Sequence, residues 1–421
     1  MKRAVVVATV LLISATLGGC DFHGDRAVTV HFWNGFTGPD GRTMLALVKR
    51  FNAENPDVHV LMQRMDWSTY YSKLFVAGLG GRAPEVFVSH VINLERFLQA
   101  DFVRPVDDLL AGPNGLDTTD LLPSVWDAVE KDGRHYAVPL DVHAIGLYYN
   151  RDLFAQAGLP GPPRDRAEFM HALERLTRDV DGDGNPDQWG YVFTWFRTNV
   201  VSIMRQFGGR FFTEDCSRCT LDEPENVEAL QFCVDLIRKY RFVPPPENFD
   251  AWIGFRQGKV GMAFEGTYML PDLLKQEDLD YGAAPLPLLG STPAAWAGAH
   301  TLCLRNGMDE QKTEAAWRFV RFLSDHSLDW AEGGQIPARN SLRATERFAG
   351  MKAQAAFAEQ LPYICFGPLV PFIFEFYTEF DAAVEKTLRG SATPQDALAT
   401  ATENVNGIIA RHHALLEEAA R

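Results

Sequence analysis

The sequence predicts an α/β fold in two lobes, on three observations. Apolar residues recur at helical spacing in Met44, Leu47, Val48 and Phe51, in Phe169, Ala172, Leu173 and Leu176, in Val227, Leu230, Val234 and Ile237, and in Ala316, Phe319, Val320 and Leu323. Each quartet falls on one face of a helix. Short β-prone runs lie between them, among them VTVHFW, EVFVSH, AIGLYYN, VGMAFEG and HTLCL. Strands that alternate with helices build βαβ units. No repeat period and no low-complexity tether divides the 421 residues, so the lobes must be joined through extended segments. The proline-marked runs AVPLD (137–141), AAPLPLL (283–289) and QIPARNS (335–341) are the candidate crossings.

Taken from the start, Lys2 and Arg3 precede an apolar run from Val5 to Leu17. That is the length of a signal-peptide core and too short to span a bilayer. It ends in LGGC, which resembles the lipobox of bacterial lipoproteins, with Leu17, Gly18 and Gly19 ahead of Cys20. On that resemblance residues 1–19 are removed, Cys20 is lipidated, and residues 20–26 form a tether; an ordinary secretory signal that contains a cysteine is the alternative. Asp21 after Cys20 is the residue associated with retention on the inner membrane, facing the periplasm. No other stretch could span a membrane. A net charge of −15 argues against a nucleic-acid partner, and 46% hydrophobic content suffices for more than one core.

Further along, Asp165 with Glu168 and Asp222 with Glu225 have the spacing of helix N-cap and N3 pairs. Six cysteines are present. Cys216 and Cys219, in the turn-rich stretch FTEDCSRCTLDEPEN, are the candidate disulfide in an oxidising compartment. Cys233, Cys303 and Cys365 sit among apolar residues as small hydrophobes, with a Cys303–Cys365 bridge left open. DVDGDGNPDQWG places Asp179, Asp181, Asp183, Asn185 and Asp187 at positions 1, 3, 5, 7 and 9 of a calcium loop. Position 12, normally a bidentate Glu, is Gly190, so the candidate structural calcium site is incomplete.

Read together, LYYNRDLFAQAGLPGPP, FWNGFTGPDG with LVKRFNAENP, GGRAPEV, VPLD, FRQGKVGMAFEGTYML and WAEGGQIPAR resemble, in order and spacing, the extracellular solute-binding proteins of the maltose-binding-protein-like group. These are the substrate-capturing subunits of sugar ABC importers. The resemblance covers the mature chain. RDRAEF departs from the usual Thr-Trp helix start after the double proline, and PEV replaces PDV. The resemblance implies a two-lobe periplasmic-binding-protein fold, type II-like, with two or three hinge crossings. The three proline-marked crossings set lobe 1 at 27–139 plus 290–338 and lobe 2 at 140–289 plus 339–421. The resemblance also implies an exported monomer that holds a carbohydrate between the lobes, hands it to the importer's permease, and requires no cofactor.

Ligands of α/β proteins bind beyond the carboxyl ends of strands. Sugar rings need flat aromatic surfaces with charged or amide groups at their edges. Residues of those types stand at the strand ends: Trp33, Asn34, Phe36 and Thr37; Asp66 and Trp67; Ser89 and His90; Asp141; Trp195 and Phe196; Glu265 and Tyr268; Trp296, Gly298 and His300; and Arg339. The resemblance assigns such positions to ligand. An exported glycoside hydrolase is the rival class, since Asp66, Asp141 and Glu265 could supply the pair of carboxyl groups it needs. A glycerol-phosphate-type ligand would instead want clustered cations, for which only Arg339, Arg64 and Arg197 are at hand.

Overall fold

The computed structural model describes residues 27–419 apart from 39 and 248; the signal peptide, Cys20 and the tether lie outside the described residues. The chain first lays down β1 (Val28–Asn34), β2 (Val58–Arg64) and β3 (Val86–His90). A short hairpin of β4 (Glu130–Lys131) and β5 (Arg134–His135) precedes β6 (Val138–Pro139) and the long β7 (Asp141–Asn150). Then come β8 (Trp189–Phe193), β9 (Val260–Gly266), β10 (Tyr281–Ala284), β11 (Ala295–Gly298) and β12 (His300–Leu304). The last two are β13 (Ile336–Pro337) and β14 (Ile364–Cys365).

These strands form two principal sheets. The first has the order β2-β1-β3-β12-β6 and the second β14-β11-β7-β9-β8, with β10 and β13 also paired to β7. Parallel pairing of β1 with β2 and β3 requires a crossover each time. The helices Asp40–Glu54 and Trp67–Leu79 supply it. The faces predicted by spacing are the buried ones: Met44, Leu47, Val48 and Phe51 on Asp40–Glu54, and Phe169, Ala172, Leu173 and Leu176 on Arg166–Leu176 of the second lobe. The Asp165 carboxylate caps the last of these by accepting from Glu168 N at 2.9 Å. Asp222 does not cap its helix; the turn starts one residue later, at Glu223, with Pro224 in the first helical position. Nine of the ten residues of β7 are buried, so it is the spine of the second lobe.

Three passages between the lobes lie side by side. The chain leaves the first sheet at Leu140, between β6 and β7, returns at Ala299, between β11 and β12, and crosses again at β13, which pairs with the start of β7. Leu140 N donates to His300 O at 2.9 Å, and Ala338 N to Leu140 O at 3.3 Å, which ties the three together. The second passage is therefore not at Pro285, and residues 290–298 belong to the second lobe rather than the first. Long-range bonds hold the intervening segment there: Leu286 N to Gln360 Oε1 at 2.9 Å and Leu289 N to Gln206 Oε1 at 2.7 Å.

Candidate functional site between the lobes

A line of rings runs from the second lobe to the first. Trp195 lies 6.2 Å, centroid to centroid, from Trp296, and Trp296 lies 6.2 Å from His143 on β7. His143 is 4.3 Å from His300 on β12, and His300 stacks on Trp67 at 5.8 Å and 11°. Strand ends and one helix start thus deliver five rings from five separate stretches of chain. His90, the partner of His300 in the β3–β12 ladder, closes the group at 4.7 Å from it.

One buried carboxylate organises this line. Asp141 opens β7 beside the first passage and is 0% exposed. It accepts from His300 Nδ1 at 2.8 Å, Trp330 Nε1 at 2.6 Å, His143 Nδ1 at 3.2 Å and His300 N at 3.2 Å. Burial opposes its charge, but His300 and His143 more than compensate and hold its pKa below the usual carboxylate range. Burial pushes His143 down to about 4, helped by His300, and pushes His90 well down too. Both rings are therefore neutral near pH 7. Tyr71 presents its hydroxyl to His90 Nδ1 and accepts from His90 N at 3.0 Å.

At the other end, Trp195 is 45% exposed, a flat apolar surface open to solvent. With Phe196, Arg197, Trp252 and Asp381 it bounds a cavity of about 470 Å³ lined by second-lobe residues alone. Arg197 Nε donates to Asp381 Oδ1 at 2.9 Å, and its guanidinium lies 4.0 Å from the centre of the Tyr377 ring. Glu265, at the end of β9, is buried, and burial raises its pKa although it accepts from Gly266 N at 2.7 Å. Tyr268 places its ring 6.2 Å from His143. Across the mouth, Tyr71 of the first lobe meets Phe374 of the second at 6.0 Å, and Arg96 lies over the same ring at 5.2 Å.

Several candidate residues fall elsewhere. Phe36 is fully buried against Trp67, His300 and Trp330 and is core, not ligand surface. Asn34 and Ser89 are also fully buried, Asn34 accepting from Phe36 N and Ser89 donating to His90 O. Trp33 packs half-buried against the other side of the first sheet. Thr37 is exposed on the loop after β1. Asp66 is an exposed N-cap, accepting from Ser68 N at 2.9 Å. Arg339 is held by Asp120 at 2.7 Å and Asp325 at 2.6 Å within the first lobe, so it is not available to the cleft. Trp296 belongs to the second sheet, not to the first lobe.

The sequence reading passed over His143, Tyr71, Trp330 and Asp381. His143 was within reach of it: in PLDVH, residues 141 and 143 share a face of one strand. Cys216 and Cys219 are both free thiols. Cys216 sits in a left-handed turn (φ 54°), while Cys219 turns into the core, its N donating to Asn406 Oδ1 at 2.9 Å. Cys303 and Cys365 are free as well, one in each sheet. In the acidic loop, carboxylate oxygens of Asp179, Asp181 and Asp187 lie within 4.8 Å of one another.

Two α/β lobes, three adjacent passages and a ring-lined floor between the sheets are the build of a hinged solute-binding protein. Residues 36–327 match the bacterial extracellular solute-binding proteins, and the chain belongs to that family. It is 23% identical over 304 residues to the maltotriose-binding protein of Pyrococcus abyssi, covering 70% of this chain and 62% of that protein. It is 22% identical over 440 residues to the sn-glycerol-3-phosphate-binding periplasmic protein of Escherichia coli K12, covering 98% of each. In structure it resembles the sugar-binding protein MalE of Xanthomonas citri, with a TM-score of 0.81 and 23% identity over 93% of this chain and 99% of that one. An ABC substrate-binding protein of Listeria monocytogenes in complex with cycloalternan gives 0.80 and 22% over 91% and 99%. Among the described residues no helix is long and apolar enough to cross a membrane.

Proposed function

We propose that the protein captures a neutral mono- or oligosaccharide between its lobes and presents it to the permease of an ABC importer, as a monomer held by lipid on Cys20 at the periplasmic face of the inner membrane. The observation that carries this reading is the open Trp195 face beside Trp296, with the Arg197–Asp381 pair at its edge and a cavity of about 470 Å³ alongside. A flat apolar surface rimmed by charged hydrogen-bonding groups suits the C–H face and hydroxyl rim of a sugar. The names of the maltotriose- and cycloalternan-binding relatives support the same class of ligand. Binding rather than hydrolysis is favoured because the candidate carboxylates are engaged. Asp141 is saturated by two histidines and Trp330, Glu265 accepts from Gly266 N, and Asp66 caps a helix.

A glycerol-phosphate-type ligand is the second reading, favoured by the Escherichia coli relative's name. Against it, Arg197 and Arg339 are already paired with aspartates. A thermal-shift and tryptophan-fluorescence screen over sugars and phosphorylated polyols separates the two. Sugars should raise the melting temperature and be recovered unaltered. Trp195→Ala should weaken binding at least tenfold, about 1.4 kcal/mol, with little change in unliganded stability. A response to phosphorylated polyols alone would overturn the sugar reading.

A further inference from the structure

We infer that His90, His143 and His300 form a three-imidazole site at the hinge for a divalent transition-metal ion of the zinc class. One ring nitrogen from each lies within 4.8 Å of the others. The Asp141 carboxylate sets two of the tautomers from behind, since His143 and His300 both turn Nδ1 to it. His90 is oriented by its Nδ1 contact with the Tyr71 hydroxyl. Nε2 is the nitrogen these bonds leave free on all three rings. Carboxylate-backed imidazole is the arrangement that orients a metal ligand and raises its basicity. Zinc bonds imidazole nitrogen at about 2.0–2.1 Å.

The donor set decides the class of ion. Three imidazoles suit zinc, copper or nickel and disfavour calcium or magnesium, which take oxygen. Three protein ligands leave a fourth position for water. His143 and His300 are buried and His90 is half-buried, so His90 is the exposed side of the site. Tetrahedral bonds of that length set the nitrogens roughly 3.4 Å apart, so the rings draw in by up to about 1.4 Å from their present spacing. His90 and His300 are partners in one ladder of the first sheet, whereas His143 belongs to the second. An ion on all three would therefore pin the lobes together beside the passages. This inference does not depend on which solute fills the cleft.

The test uses the tag-free mature protein, stripped with a chelator. Zinc is titrated by calorimetry and cobalt by absorption spectroscopy. One equivalent of zinc should bind, and cobalt should give the intense visible bands of tetrahedral nitrogen coordination. His90→Ala and His143→Gln should each lower zinc affinity at least tenfold, and Asp141→Asn by roughly 10–100-fold. Asp179→Asn, which disables the acidic loop instead, should leave it unchanged. Absence of zinc binding by the wild-type protein would overturn the inference. So would a weak octahedral cobalt spectrum, or unaltered affinity in His143→Gln. The wild-type cobalt spectrum decides the question even where a histidine variant fails to fold.

Discussion

Replacing Asp141 with Asn removes one charge and almost no volume, which makes it a clean probe of the hinge. The carboxylate has four donors: His300 Nδ1 and Trp330 Nε1 on Oδ2, and His143 Nδ1 and His300 N on Oδ1. An amide offers one oxygen. Placed in the Oδ2 position, that oxygen keeps Trp330 and His300 Nδ1 and turns an NH2 group toward the other two donors. Flipped, it keeps His143 Nδ1, His300 N and, at 3.0 Å, His300 Nδ1, and turns the NH2 group toward Trp330 Nε1. One or two buried donors then face a donor. Each buried donor left without an acceptor costs about 1–3 kcal/mol, so the substitution should cost roughly 1–6 kcal/mol. Urea unfolding at pH 7 measures it. Asp66→Asn is the control, because an exposed cap keeps its function as Asn and should change little. A loss below about 1 kcal/mol at Asp141, no larger than an ordinary exposed hydrogen bond, would refute the account of Asp141 as the organiser of the hinge.

Glu85 is held down at about 2 despite its burial, by His31 N, Lys312, the His31 ring and Arg305. Its folded pKa lies below the unfolded value, so the stability it contributes is fully present above about pH 4.3 and is lost as pH falls toward 2. Glu85→Gln should lower stability at neutral pH and flatten that acid limb in melts recorded across pH; an unchanged limb would contradict the assignment. For the cysteines, Cys216 should react with a thiol reagent in the native mature protein, while Cys219, Cys233 and Cys303 should react only on unfolding, since they are buried. Mass spectrometry that finds Cys216 joined to Cys219 would reverse the free-thiol reading.

Elements whose signal is local were legible in the sequence. Met44, Leu47, Val48 and Phe51 announce a buried face by spacing alone, and that face is the one buried. What depends on distant partners was not. The run around Pro285 looks like any extended crossing. It stays on the second lobe because Gln360 and Gln206 accept from Leu286 and Leu289, 74 and 83 residues away in sequence. Arg339 reads as a free cation until Asp120, 219 residues earlier, is seen beside it. Phe36 and Trp195 are both aromatics at strand ends. Only packing tells that one is enclosed by Trp67, His300 and Trp330 while the other faces solvent. His143 was overlooked although Asp141, two residues earlier on the same strand, was read as a ligand position and period two puts both on one face.

The placement of these polar groups has a mechanical consequence. Closure of two lobes is rotation about the passages, here Leu140, Ala299 and the stretch at Ile336–Pro337. Asp141 follows the first of these, His300 follows the second, and both are bonded to each other. The rings that follow, His143, Trp296 and Trp195, extend from that bonded pair to the open face. A ligand resting on Trp195 and Trp296 therefore touches a packed row whose far end is the hinge. It can shift the balance between open and closed only by binding one better than the other. Taking a population from about 1:99 to 99:1 requires roughly 5.5 kcal/mol of such preference, most of the approximately 8 kcal/mol available to a micromolar ligand. A hinge already ordered by buried bonds leaves little backbone to fix on closure. More of the ligand's preference then goes into moving the lobes, which is the condition under which a weak polar ligand can drive them shut.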